Sequence, residues 1–219
     1  MFSPMRAVVK PTIGSDNDMN SIGEYAALVT AGVLKLEDAL VFVATRACLM
    51  ITKCAAGSSG MMACRLPSSD ANRILASDPQ LSDLSVACEN STEDSVVAGS
   101  LGALKQFGEL CKAQNVRHKL LHVPYGFHSS AMDPILEDLT AHTCSLIPAA
   151  SRRDTSIDVG LSSFGRLLYP DEEIKPDYFI QQTRNPVRFS KLAEKIADRI
   201  GRTNVTVVEI GPAPISKSL

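Results

Sequence analysis

The sequence predicts an α/β protein in which a small lobe of element order β-α-β-β-α-β interrupts a larger lobe of helices and buried strands. Three observations predict it. Apolar residues recur at helical spacing from 36 to 53, short strand-like runs alternate with helical ones from 61 to 123, and Gly211-Pro212 closes the apolar run 205–210. Helices alternating with buried strands point to a parallel sheet in the larger lobe.

Residues 1–19 lack a period, and Gly14-Ser15-Asp16-Asn17-Asp18 reads as a loop. Gly23-Glu24-Tyr25-Ala26-Ala27-Leu28-Val29 reads as a short helix ended near Gly32. A second helix follows to about Lys53. Its Leu36, Ala39, Leu40, Val43, Ala47 and Met50 share a stripe, with Glu37 and Asp38 in the first turn and Lys53 in the last, as the helix dipole favours. Strands are expected at 61–66, 84–89, 95–99 and 118–123, and helices at 68–76 and 101–114, with Asn90-Ser91-Thr92-Glu93-Asp94 turning the central hairpin. That order is the ferredoxin-like one. The large lobe resumes with a helix at 134–146, an irregular stretch to about 176, a helix at 190–200 and the strand 205–210. Three segments result: 1–60, which opens the large lobe, 61–123, the small lobe, and 124–219, the rest of the large lobe.

Composition narrows the partners. The chain has 219 residues, 45% hydrophobic and 21% charged, enough to bury a core without staples. Its 22 basic and 24 acidic residues leave a formal net charge of -2 with no long run of either sign, which argues against binding to nucleic acid or an anionic membrane surface. Cys48, Cys54, Cys64, Cys88, Cys111 and Cys144 form no C-x-x-C pair, so no cysteine metal site is expected, and they read as mostly buried thiols of a reducing compartment. With no apolar run of membrane length and no signal-peptide pattern in the first nineteen residues, a cytoplasmic location is expected.

Three side chains invite chemistry. Ser21, in Asn20-Ser21-Ile22-Gly23 before a helix, can expose a nucleophilic hydroxyl beside helix-end amides that would stabilise an oxyanion. A Ser-x-Gly there is more often an N-cap, and only half of a G-x-S-x-G turn is present, because Met19 replaces the first glycine. Arg46 falls close to the apolar stripe of the second helix, where a carboxylate can take two parallel hydrogen bonds from it; a snorkelling or ion-paired arginine is the alternative. His128 follows a strand in Pro124-Tyr125-Gly126-Phe127-His128-Ser129, where a general base could serve the serine.

Together these pieces resemble a known family. Ser21-Ile22-Gly23-Glu24-Tyr25-Ala26-Ala27-Leu28, Gly32-Val33-Leu34 and Glu37-Asp38-Ala39-Leu40 resemble the nucleophile region of malonyl-CoA:acyl-carrier-protein transacylases, particularly the acyltransferase domains of fungal iterative polyketide synthases. Ala44-Thr45-Arg46-Ala47 resembles the helix of the carboxylate-binding arginine. Gly60-Met61-Met62-Ala63, Ala87-Cys88-Glu89-Asn90-Ser91 and Val96-Val97-Ala98-Gly99 resemble the small lobe, and Tyr125-Gly126-Phe127-His128-Ser129 with Met132-Asp133-Pro134-Ile135-Leu136 resembles the histidine motif. Asn185-Pro186-Val187-Arg188-Phe189 and Val208-Glu209-Ile210-Gly211-Pro212 fit as well, so the likeness covers about residues 20 to 214.

The resemblance implies a partial hydrolase-like parallel-sheet lobe and a ping-pong malonyl transfer in polyketide or fatty-acid assembly. Malonyl-CoA would be the donor, the phosphopantetheine thiol of an acyl carrier protein the acceptor, other synthase domains possible partners, and no cofactor would be tightly bound. Ser21 would be the nucleophile, His128 the base and acid, Arg46 the malonate clamp, Ile22 a backbone oxyanion donor and Gln182 a support for the histidine. Phe127 would disfavour an α-methyl branch. The chain departs from the family pattern at Met19 and Asn20, which stand for Gly-His, in having no Gly-Gln-Gly loop, at Gln182, which stands for asparagine, and at Ala213, which stands for histidine. A chain truncated at both ends is therefore expected. Its alternatives are an impaired remnant, a serine esterase or thioesterase, and a carrier-protein docking module.

Overall fold

The computed structural model describes residues 22–147, 157–169 and 172–201. Ser21, the loop at 14–18 and the strand expected at 205–210 with Gly211-Pro212 lie outside the described residues.

The chain enters through α1 (Gly23–Thr30) and α2 (Leu36–Lys53). α1 ends because Gly32 takes φ 66, which lets its amide bond the Val29 carbonyl and the Val33 amide reach back to Leu28. Five residues separate α2 from β1 (Ser59–Cys64), after which α3 (Ser68–Ser77), β2 (Ser85–Glu89), β3 (Ser95–Ser100), α4 (Leu101–Ala113) and β4 (His118–Leu120) complete the expected β-α-β-β-α-β order. The four strands form one antiparallel sheet of order β2-β3-β1-β4.

Alternation along the strands divides the sheet's side chains between two apolar clusters. Met62, Cys64, Val86 and Val97 face Leu104, Phe107 and Cys111 of α4, and Met61, Ala87, Val96 and Ala98 face Val187 and Phe189. Cys88 shares the second face with its neighbour Ala87 because a register shift between Val86 and Cys88 absorbs one residue. Both faces are covered, so the strands read as near-continuous apolar runs.

β4 is shorter than the expected 118–123. The Leu121 amide still bonds the Met61 carbonyl, but the Val123 amide turns back to Leu121 and the chain leaves the ladder. It then runs through a 3-10 turn at Ser130–Met132 into α5 (Asp133–Leu146), which packs on α2.

Two features of the stretch expected to be irregular, or left unassigned, are ordered. Residues Gly160–Leu161 (β5) and Arg166–Leu167 (β6) pair as a short hairpin, and Pro176–Arg184 forms α6 ahead of α7 (Phe189–Ile200). α1, α2, α5 and α6 share one core, centred on Tyr25, Phe42 and Phe179 with ring centroids 5.2 to 6.0 Å apart. All six cysteines are free. Cys64, Cys88 and Cys111 are buried, whereas Cys48 and Cys144 are exposed, which corrects the expectation of mostly buried thiols. No helix among the described residues is long and apolar enough to cross a membrane.

Candidate active site

α2 delivers Arg46 to the interior. Ala39, Phe42 and Arg46 lie at i, i+3 and i+7 and form the buried face of the helix, so the guanidinium is carried inward by the period that buries the phenylalanine. Arg46 is 4% exposed, which rules out a snorkelling side chain. It lies beside the Tyr25 hydroxyl, which donates to Oε1 of the fully buried Gln182 over 2.6 Å. Burial pushes the Tyr25 phenol up to about 12 although the Arg46 charge opposes the rise.

His128 joins this group from the loop between β4 and α5. It is 5% exposed and has φ 57, a left-handed conformation that costs a side-chain-bearing residue roughly 1–2 kcal/mol. Nδ1 lies 3.0 Å from the Asn185 carbonyl oxygen. A carbonyl only accepts, so Nδ1 carries the proton and Nε2 is the basic nitrogen of the neutral ring. The Gln182 backbone also bonds the ring. Burial first, and then the Arg46 charge, push the imidazole down to about 3, against the pull of the two backbone carbonyls. The ring is therefore neutral at pH 7, with Nε2 unprotonated.

The other expected residues fall as follows. Gln182 meets the histidine through its backbone, while its side-chain oxygen serves Tyr25. Phe127 is half-buried, bridges the core around Tyr25 and Phe42 and the second face of the sheet, and meets Tyr125 edge-on at 5.9 Å. Ile22 occupies the N-cap position of α1, and its carbonyl accepts from the Tyr25 amide at 3.0 Å. Ser21, one position earlier in the chain, lies outside the described residues.

Sequence reasoning missed Asn185 and Glu24. Asn185 acts through its carbonyl, which no side-chain pattern reveals. Glu24, read only as part of an apolar helix, is buried with its carboxyl on the Ser162 amide at 2.9 Å and on the Tyr178 hydroxyl. Burial pushes that carboxyl up. A lone acid among apolar helix residues was the available signal. Among the described residues no three His, Cys, Asp or Glu side chains gather in a way that would hold a metal ion.

A neutral histidine with a fixed tautomer beside a buried arginine suits proton transfer next to an anionic substrate group. Residues 20–217 match the model of the acyl transferase domain family. The chain belongs to that family. This acyl transferase domain is 33% identical over 203 residues to the non-reducing polyketide synthase nscA of Arthroderma benhamiae, covering 91% of this chain and 11% of that protein. To the orsellinic acid synthase armB of Armillaria mellea it is 35% identical over 199 residues, covering 89% and 9%. It thus spans about a tenth of the length of these curated relatives. Among solved structures, the malonyl CoA-acyl carrier protein transacylase from Clostridium perfringens superposes with a TM-score of 0.72 at 26% identity, covering 82% of this chain and 55% of that one. The acyltransferase domain from the second module of the salinomycin polyketide synthase gives 0.71 at 28% identity, covering 82% and 40%. The mixed α/β fold of this acyl transferase domain is therefore that of polyketide-synthase acyltransferase domains and of bacterial transacylases.

Proposed function

We propose that the chain moves a malonyl group from malonyl-CoA, through an ester on Ser21, to the phosphopantetheine thiol of an acyl carrier protein during polyketide assembly. The observation that carries this reading is the burial of Arg46 beside a neutral, tautomer-fixed His128. A buried guanidinium next to the reacting centre favours a substrate that brings its own carboxylate, as malonate does and acetate does not.

Nε2 of His128 takes the Ser21 proton as the hydroxyl attacks the thioester carbonyl. The oxyanion that forms accepts from the Ile22 amide at the start of α1. As the tetrahedral species collapses, the C–S bond breaks, the imidazolium returns the proton to the departing CoA thiol, and the malonyl ester remains on Ser21. The carrier-protein thiol then attacks the ester with His128 again as base, and the serine leaves with the proton. Arg46 pairs with the free malonyl carboxylate throughout, and Phe127, in contact with two apolar clusters, narrows the space for an α-branch.

The same reading divides the chain into a large lobe from 1–60 and 124–219 and an inserted ferredoxin-like lobe at 61–123. Strand order β2-β3-β1-β4 and the separate core between the sheet and α4 support the insert. Intact-mass analysis after incubation with malonyl-CoA tests the function. A malonyl adduct on the wild-type chain that is absent from Ser21→Ala is expected. An adduct that persists in Ser21→Ala removes the mechanism, and no adduct on the wild type favours an inactive remnant.

A further inference from the structure

The loop that carries His128 hangs on two serine hydroxyls that no step of the acyl transfer uses. Ser129 is fully buried, and its Oγ donates to the Gly126 carbonyl at 2.6 Å while accepting from the Ala131 amide at 3.2 Å. Backbone before and after His128 therefore meets at one oxygen atom. The Gly126 amide donates in turn to Oγ of buried Ser59 on β1, at 2.9 Å. A Cβ on Gly126 would stand 3.1 Å from the Gly60 carbonyl oxygen and 3.3 Å from the Gly99 amide nitrogen, so the loop lies directly against β1 and β3.

The acceptor of the imidazole proton is tied to the same sheet. Two residues after Asn185, the Val187 amide bonds the Ala87 carbonyl at 2.9 Å and its carbonyl takes the Glu89 amide at 2.8 Å, a parallel bridge onto β2. Histidine loop and histidine acceptor thus share one frame, the loop through Ser59 on β1 and the acceptor through β2. The apex of the loop is His128, at φ 57, a conformation that a residue with a side chain keeps only where its surroundings impose it.

We propose that Ser129, assisted by Ser59, is the positioning residue that holds His128 in its left-handed conformation and keeps Nδ1 aimed at the Asn185 carbonyl. The proposal rests on the reading of His128 as the base, yet the geometry it describes needs no substrate. Without the Ser129 hydroxyl, the Gly126 carbonyl and the Ala131 amide lose their shared partner, His128 relaxes toward an ordinary backbone region, and the ring swings off its acceptor. The tautomer is then no longer fixed.

The test uses the full chain labelled with 15N-histidine, with the His128 signals assigned by their absence from His128→Gln. Wild-type protein should show a protonated Nδ1 and an unprotonated Nε2, with Arg46 on α2 the charged group that faces the ring. Ser129→Ala should give mixed tautomers and an acylation rate lowered about tenfold or more with KM for malonyl-CoA unchanged. Ser129→Thr, which keeps a hydroxyl, should retain the wild-type signature. Two results overturn the proposal: a wild-type signature in Ser129→Ala, or its loss in both variants, which would assign the effect to packing. If Ser129→Ala does not fold, Ser59→Ala carries the test, and an unchanged signature there overturns the proposal. If the wild type forms no malonyl ester, the acyl-transfer reading fails, while the imidazole signature still decides the role of Ser129.

Discussion

The four-stranded sheet and the polar cluster around His128 are built on opposite plans. In the sheet, order comes from repetition: β1, β2 and β3 send alternate residues to two apolar clusters, and their backbones pair residue after residue along the ladder. In the polar cluster nothing repeats. Tyr25 reaches Gln182 across 157 residues of chain and His128 reaches Asn185 across 57, each pair from different elements. The first plan tolerates the loss of any one contact by sharing load among many, whereas the second rests on a few contacts that nothing duplicates. Damage to the sheet should therefore cost stability, and damage to the cluster should cost chemistry.

The contrast is broken most sharply at His128. His128→Gln is expected to lower the rate of malonyl ester formation by roughly 100- to 10,000-fold, the range of a lost general base, with a circular dichroism spectrum close to wild type. Phe107→Ala, in the buried core between the sheet and α4, should do the reverse. It should cost about 3–5 kcal/mol in denaturant unfolding and leave the acylation rate of the folded fraction within about twofold. Tyr25→Phe lies between them. It keeps the ring packing but strips the hydroxyl from Gln182 and Arg46, for a stability loss of about 1–3 kcal/mol and a weakened hold on the substrate carboxylate, read as a raised KM.

The last expected effect is a pH slope. The folded His128 titrates near 3 and the unfolded near 6.5, so its contribution to stability is full above pH 6.5 and is lost as pH falls from there toward 3, by up to about 1.4 kcal/mol per pH unit. Glu24 works with the opposite sign. Its raised folded pKa gives stability below its unfolded value that is lost as pH rises through the folded one. The two slopes oppose one another over part of the acid range. Urea unfolding of wild type and His128→Gln across pH 4–7 should isolate the histidine slope as their difference, and identical profiles would contradict a histidine buried as the neutral base.

The same contrast explains what the sequence reveals. The order of strands and helices from 59 to 120 is legible because period 2 and period 3.6 announce it locally. α6 escaped because its buried face pairs Tyr178 and Phe179 with Gln182 and Thr183, so half of that face is polar and the apolar stripe is broken. Pro176 at its first position, Asp177 in its first turn and Arg184 in its last were the signals that mark it. The hairpin of β5 and β6 has two residues per strand, too few to show alternation. At the site, Arg46 was legible because a charge on an apolar stripe conflicts with its surroundings. The Asn185 carbonyl and the Ser129 clamp were not, because backbone acceptors and small hydroxyls leave no mark in composition or period.

The claim that Arg46 and His128 act as one malonyl-transfer site is tested most directly by competition between malonyl-CoA and acetyl-CoA for ester formation on the wild type and on Arg46→Ala. Loss of two charge-assisted hydrogen bonds should lower malonyl loading by about 100-fold or more, leave acetyl loading little changed, and collapse the preference for malonyl. An unchanged ratio of malonyl to acetyl ester in Arg46→Ala would contradict it.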